Sequence, residues 1–144
     1  MKDTGLENLY IFLAEKMVKN YKQGSQNILN TLKTGITIDQ WVVLKYIGEN
    51  NGSSQANIAK NSAKDAPTTT RIIDQLVRKK LVQRKADPGD RRKFKVMVTE
   101  KGTLLIKKVV PQILKHRHNT VKGLSGAEMN TMIRSLKKML DNLK

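Results

Sequence analysis

The stretch from Ser53 to Gly102 constrains this chain more than any other. It reads SSQANIAKNSAKDAPTTTRIIDQLVRKKLVQRKADPGDRRKFKVMVTEKG. Ser54 can cap a short helix, QANIAKNSA, that buries Ile58 and Ala59. Asp65 can cap the next helix, and Pro67 is tolerated in its first turn, where a backbone N–H lacks an intrahelical partner. On that second helix Thr69, Ile72, Ile73, Leu76 and Val77 share a core stripe. The opposite face carries Pro67, Thr70, Arg71, Asp74, Gln75 and Arg78. Leu81 to Ala86 and Phe94 to Thr99 alternate like strands, joined by the turn Asp87-Pro88-Gly89-Asp90. Two helices and a basic hairpin thus follow one another without a break.

Charge points such a unit to a polyanion, a nucleic acid or an anionic membrane surface, without saying which. Lys plus Arg is 28 and Asp plus Glu is 12, a net of +16 in 144 residues. An excess of that size attracts a polyanion through the summed field and counterion release. Position narrows the choice. Between Lys60 and Lys95 twelve basic residues face four acids, so half of the net charge sits in one quarter of the chain. Only six residues are aromatic, and just Phe94 lies in that unit. Binders of single strands lean on aromatic platforms for base stacking, so the composition favours a duplex.

The flanks read as helices in search of a partner. Residues 4 to about 22 begin with a capping box, Thr4 with Glu7, and carry Leu6, Leu9, Tyr10, Leu13, Met17 and Tyr21 at helical spacing. Residues 23 to 30 are polar, and the helix either continues or breaks at Gly24. A second capping box, Thr37 with Gln40, opens a segment to Gly48 whose centre, WVVLKYI, suits a buried helix better than a strand. Thr99 is a candidate cap for a long helix to about His118, which Pro111 should kink or end in its first part. Ser125 with Glu128 opens a last helix bearing Met129, Met132, Ile133, Leu136, Met139, Leu140 and Leu143 on one stripe. Pairing of the terminal helices with each other and with a second copy buries these stripes economically; packing within one chain is the alternative.

The residues Asp90-Arg91-Arg92-Lys93-Phe94-Lys95-Val96-Met97-Val98-Thr99-Glu100-Lys101-Gly102 resemble the wing signature of the MarR family of regulators, D-x-R-x-x-x-V-x-L-T-x-x-G. Asp90, Arg92, Val96, Thr99 and Gly102 match, and Val98 replaces Leu. The resemblance is motif-level over residues 54 to 102 and pattern-level outside. It implies a mainly α fold with a small β-hairpin wing, a winged helix-turn-helix between N- and C-terminal dimerisation helices. A DNA-binding lobe over residues 36–100, with dimerisation helices over 1–34 and 101–144, would make one MarR-like domain. The implied function is a homodimeric, sequence-specific repressor on a pseudo-palindromic duplex site. An architectural, sequence-tolerant DNA-binding protein is the alternative suggested by charge.

Site residues follow from both lines. A narrow turn enters a minor groove where a helix cannot, and an Arg there suits the negative potential. The resemblance gives that role to Arg92, with Arg91 and Lys93 beside it. Asp90 is expected to hold the guanidinium of Arg92. Pro67, Thr68, Thr70, Arg71, Gln75 and Arg78 are candidates for the major groove, and Ser54 and Gln55 for phosphate. Thr99 and Gly102 read as structural. Two departures stand out: Lys80 where many relatives have Gly, and Lys64 where an apolar residue is common.

The remaining signals point away from other chemistry. There are no cysteines, which removes disulfides and thiolate sites, and His116 and His118 point about 200° apart on a helix, so they cannot share a metal. No nucleophile–base pair or phosphate loop is visible, so no enzyme and no cofactor are expected. The acids at Asp3, Glu7 and Glu15 argue against a secretory signal, no membrane span is expected, and the expected compartment is the cytoplasm. By resemblance, a small aromatic or phenolic anion is the expected effector, with Tyr10, Lys16, Trp41 and Tyr46 as candidates for its cleft.

Overall fold

The structure is a computed structural model that describes residues 5, 9–62 and 64–144. In chain order its elements are α1 (Tyr10–Thr31), α2 (Ile38–Glu49), β1 (Ser53–Ser54), α3 (Gln55–Asn61), α4 (Ala66–Arg78), β2 (Val82–Asp87), β3 (Asp90–Val98), α5 (Glu100–Thr120) and α6 (Gly126–Asn142). The mainly helical chain with a small antiparallel sheet is the winged-helix architecture expected from the sequence. The capping box expected at Thr4 lies outside the described residues.

Helix α1 continues past Gly24, which settles the open question at its centre. The glycine is a packing device, because a Cβ there would sit 2.6 Å from the His116 ring of α5. The polar run after it is used at the end of α1. Gln26 accepts from the Ile38 N–H at 2.8 Å and donates to the Ile36 carbonyl at 3.2 Å, tying the end of α1 to the start of α2. WVVLKYI is helical, and the Thr37–Gln40 capping box forms in both directions. Trp41, Val43, Leu44 and Ile47 are all buried, so α2 is the central helix rather than a surface one.

The core joins Leu44 and Ile47 of α2 to Ile58 of α3, Ile73 and Leu76 of α4, Val96 of the sheet and Val109 of α5. The sheet order is β1-β3-β2. β2 pairs antiparallel with β3 from Val82↔Val98 to Asp87↔Asp90, with an irregularity at Ala86/Asp87. The hairpin loop is therefore Pro88-Gly89, and β3 starts four residues earlier than its alternation suggests. Strand β1 was not legible at all. Two residues cannot display a period, and the sequence suggests only capping or a phosphate contact for the serines there. They pair with Val96 and Lys95 and so fix the root of the wing to α3.

Helix α5 runs through Pro111 without ending there. Proline removes one N–H from the helix interior. Pro111 and Lys107, four residues before it, are both exposed, so water can satisfy the carbonyl left over. The two ends of the DNA-proximal unit are locked tightly. Lys80 has φ of +60°. Its N–H donates to the Val77 carbonyl at 2.9 Å, and the Leu81 N–H to that of Leu76 at 3.0 Å, closing α4 as a Schellman motif. A lysine thus occupies the left-handed position where Gly costs least, at about 1 kcal/mol. Thr99 caps α5 by accepting from the Gly102 N–H at 3.1 Å, while its hydroxyl reaches the carbonyls of Lys80 at 2.7 Å and Leu81 at 3.0 Å.

Helix α6 stands apart. Its Ser125–Glu128 capping box forms, yet none of its residues is buried and it packs extensively on no other element. Its apolar stripe, from Met132 to Leu143, is exposed, as are Tyr10, Ile11, Leu13 and Met17 at the start of α1.

Candidate nucleic-acid interface

Helix α4 is built to present one face. Asp65 accepts from the Thr68 N–H at 2.7 Å, and Thr69 is turned inward with its hydroxyl on the Asp65 carbonyl. The Thr68 N–H, and then its hydroxyl, hold the Asp65 carboxyl below its ordinary pKa, so the cap is anionic at neutral pH. Ile72, Ile73 and Leu76 fix the inner face, which leaves Pro67, Thr70, Arg71 and Arg78 exposed and Thr68 half-buried. The Thr70 hydroxyl bonds back to the Ala66 carbonyl at 3.1 Å, which leaves its methyl and oxygen on the surface.

Gln75 has another task. It is half-buried, and its Oε1 accepts from Nε2 of the buried Gln40 at 2.8 Å. The carboxamide thus ties α4 to α2, and only its NH2 group is left for a groove. This bond was hidden from the sequence, where Gln75 shares its helical face with Arg71 and Arg78.

The wing tip is open. Arg91, Arg92 and Lys93 are exposed. Asp90 does not hold the Arg92 guanidinium as expected; its carboxylate accepts the Arg92 backbone N–H at 2.9 Å. Among the described ion pairs none joins the two side chains. The reason is local. A residue two positions before an N–H can close an Asx turn at no cost in side-chain order, whereas an exposed ion pair must freeze a long arginine. Asp90 therefore shapes the turn, and the guanidinium of Arg92 stays available.

A groove of about 260 Å3 joins the wing to the start of α3, lined by Ser54, Gln55, Ala56, Arg92, Lys93 and Phe94. Residues nearly forty positions apart in sequence are brought to one surface. Within it the Ser54 hydroxyl accepts from the Asn57 N–H at 3.2 Å, which leaves its own hydrogen free to donate. Gln55 is partly committed, because its Oε1 accepts from Arg84 Nε at 2.7 Å.

Arg84 is the residue that sequence reading missed. From β2 its guanidinium also pairs with Asp74 of α4 at 2.6 Å. One side chain thus links the wing strand to both helices of the unit. Arg84 alternates as a strand residue should, and only the fold brings Asp74 and Gln55 to it. Lys64 likewise finds an acid, pairing with Asp39 of α2 at 2.9 Å, which accounts for a charge where an apolar residue is common.

A second concavity lies between α1, α2 and α5. It holds about 230 Å3 and is lined by Met17, Tyr21 and Lys22 of α1, Trp41 of α2, and Ile113 and Arg117 of α5, among others. Of the expected cleft residues only Trp41 is there. Tyr10, Lys16 and Tyr46 do not line it: Lys16 lies one position, about 100°, off the Met17–Tyr21 stripe, and Tyr46 about 140° around α2 from Trp41. Tyr21, which lines it, stacks on His116 of α5 with centroids 4.6 Å apart. No helix of the described residues is long and apolar enough to cross a membrane, and no group of three or more metal-ligating side chains is assembled among them.

Known proteins share this arrangement. The transcriptional repressor NicR of Pseudomonas putida is 34% identical over 107 residues, which cover 74% of this chain and 68% of that one. The solved structure of a Staphylococcus aureus MepR–DNA complex superposes with a TM-score of 0.85 at 29% identity, covering 96% of this chain and 99% of MepR. A structure of Bordetella bronchiseptica BpsR, described as explaining regulation of its DNA binding by 6-hydroxynicotinic acid, gives 0.85 at 26% identity, covering 97% and 99%. The family model described as MarR family matches residues 36–94, the span from the start of α2 into the wing. With its fold, its wing signature and these relatives in agreement, the chain belongs to the MarR family of transcriptional regulators, which are not enzymes.

Proposed function

We propose that this protein is a homodimeric repressor that binds a pseudo-palindromic duplex site and releases it when a small aromatic anion binds. The observation that carries the DNA part is the joint exposure of Arg71 and Arg78 on α4 and of Arg91 to Lys93 on the wing, with the half-buried Ser54 lining the groove between wing and α3. In this reading α4 enters the major groove through Pro67, Thr68, Thr70 and Arg71, and Arg92 enters the flanking minor groove. Gln75 and Gln55 contribute less than their sequence positions suggest, since each already serves a neighbour.

Residues 36–100 then act as the DNA-binding lobe, and 1–34 with 101–144 as dimerisation helices. Support comes from the exposed apolar stripes of α1 and α6. Burying one Leu, Ile or Met side chain contributes about 1.5–3 kcal/mol, so leaving six or more in water is costly. The effector reading rests on the Trp41 cleft, where Lys22 and Arg117 supply positive charge beside an apolar wall.

The test is a footprint at one palindrome in the presence of excess random DNA. Protection that survives competitor supports the repressor; a specificity ratio near one would instead favour the architectural reading. Arg92→Ala should weaken operator binding about tenfold or more with an unchanged far-UV spectrum, because it removes a groove contact at an exposed turn. Unchanged affinity at fixed salt would refute the wing role.

A further inference from the structure

The side-chain amide of Gln40 lies between α2 and α4, and its polarity is imposed from one side. The residue is buried, at 6% exposure. Its Oε1 accepts from the Thr37 N–H at 3.1 Å and from Lys79 Nζ at 3.2 Å. A backbone N–H and an ammonium group can only donate, so the atom that meets them must be the oxygen. Nε2 is thereby turned the other way, where it donates to Gln75 Oε1 at 2.8 Å.

The same constraint passes to the second amide. With its oxygen against Gln40, Gln75 keeps Nε2 for the outside. That nitrogen takes part in none of the described hydrogen bonds, and no buried side-chain nitrogen or oxygen among the described residues lacks a partner, so the NH2 group opens to solvent. Gln75 follows Thr68 by seven residues and Arg71 by four, about 20° and about 40° from them around α4. Adhesion between α2 and α4 is the competing account. A bond that only held the helices together would serve with either amide polarity. Thr37 and Lys79 permit one polarity, and its consequence falls on the outward face of α4.

We infer that Gln40 is a positioning residue for base readout. It commits Gln75 to donating, so that α4 selects a keto base, guanine or thymine, over an amino base, adenine or cytosine, on the strand that faces Gln75. The inference rests on the reading of α4 as the major-groove helix. An unconstrained glutamine pairs with adenine through two bonds, donating to N7 and accepting from the N6 amine. With its oxygen turned inward, Gln75 sets an N–H against that amine, and equally against the N4 amine of cytosine. Guanine O6 and N7 and thymine O4 are acceptors and suit it. The relay thus gives up the two-bond contact with adenine in return for a fixed sign.

The full-length protein is used to select duplexes from a randomised library, and Gln75→Ala identifies the half-site positions whose preference depends on this side chain. Guanine or thymine is expected there, favoured about threefold or more. Gln40→Glu then reverses the relay. A Glu three residues after Thr37 still completes the capping box and still meets Lys79, yet it cannot donate. Gln75 must turn its NH2 inward and its oxygen outward, so the preference should pass to adenine or cytosine at the same positions. Gln75→Glu should shift it in the same direction, because Gln40 donates to one carboxylate oxygen and the other faces the groove; this variant decides the matter if Gln40→Glu does not fold. The inference is overturned, with the repressor reading intact, if a site is selected in which Gln75→Ala alters no position, if the unaltered chain prefers adenine or cytosine there, or if the folded Glu variants keep its preference. Failure of the unaltered chain to select any site overturns both.

Discussion

Gly102→Ala tests how tightly the wing is joined to α5. On helix propensity alone the change should stabilise the first turn by up to about 1 kcal/mol. The structure predicts the opposite. An added Cβ would lie 2.2 Å from the Leu81 carbonyl oxygen and 2.8 Å from Val98 Cγ2. The first neighbour is backbone and cannot rotate away. Restoring an ordinary contact needs a displacement of more than 1 Å between α5 and the start of β2. That displacement strains the bonds from the Thr99 N–H and hydroxyl to the same carbonyl, both at 3.0 Å. At about 1 kcal/mol for each bond and about 1–3 kcal/mol for overpacking, less about 1 kcal/mol of propensity gain, the net loss is about 2–4 kcal/mol. For a chain of this size that is a fall in Tm of about 6–12 °C. Thermal melts at one fixed protein concentration measure it. A variant as stable as the parent would show that the close approach is not a constraint and that the glycine of the motif needs another explanation.

Two further outcomes follow from the site. A double-mutant cycle on Asp74→Ala and Arg84→Ala, read by urea unfolding, should give a coupling of about 0.5–1.5 kcal/mol, since the pair is short but partly exposed; additive losses would mean that Arg84 does not link wing to α4. The pKa of Asp65 is lowered in the folded chain, so its cap contributes above the ordinary carboxylate value of 3.8 and fades as pH falls through the depressed one. Asp65→Asn keeps a capping oxygen but cannot titrate, so its melting temperature should depend less on pH below about 4 than the parent's; parallel curves would contradict the shift.

What could be read from sequence was whatever a local rule decides. Capping residues are such a rule: Thr37, Ser54, Asp65, Thr99 and Ser125 all cap the helices expected of them, because a cap is settled within four residues. The hairpin and its basic tip were legible for the same reason. What escaped depended on distant residues. Gly24 leaves open whether the helix continues or breaks until His116 of α5 is seen against it. Gln75 reads as a free groove contact until Gln40 engages it, and Asp74 as one more residue of the outward face until Arg84 pairs with it. The Trp41 cleft was located by one residue of four, since its walls come from three helices whose relative rotation no single stripe specifies.

The same distant contacts decide how a signal crosses the molecule. Helix α5 is 21 residues, about 31 Å, long. Three glycines meet it or lie within it along that length: Gly102 against Leu81, Gly48 against Ile106, and Gly24 against His116. At each point a Cβ would approach its neighbour to 2.6 Å or less. At Gly102 the neighbour is backbone and at Gly24 a ring, so those joints have little to deform, while at Gly48 the neighbour is the flexible end of Ile106. Close-packed contacts of this kind transmit displacement rather than absorb it. A tilt of about 5° at the Thr120 end would carry the Glu100 end about 3 Å, and the wing root with it. Under the proposed function, a ligand that moves α5 against α1 at the Trp41 cleft therefore moves the two lobes of the dimer as rigid bodies. Such motion changes half-site spacing without altering any side chain that touches DNA. Loosening the Gly48 joint should accordingly weaken effector control more than operator affinity.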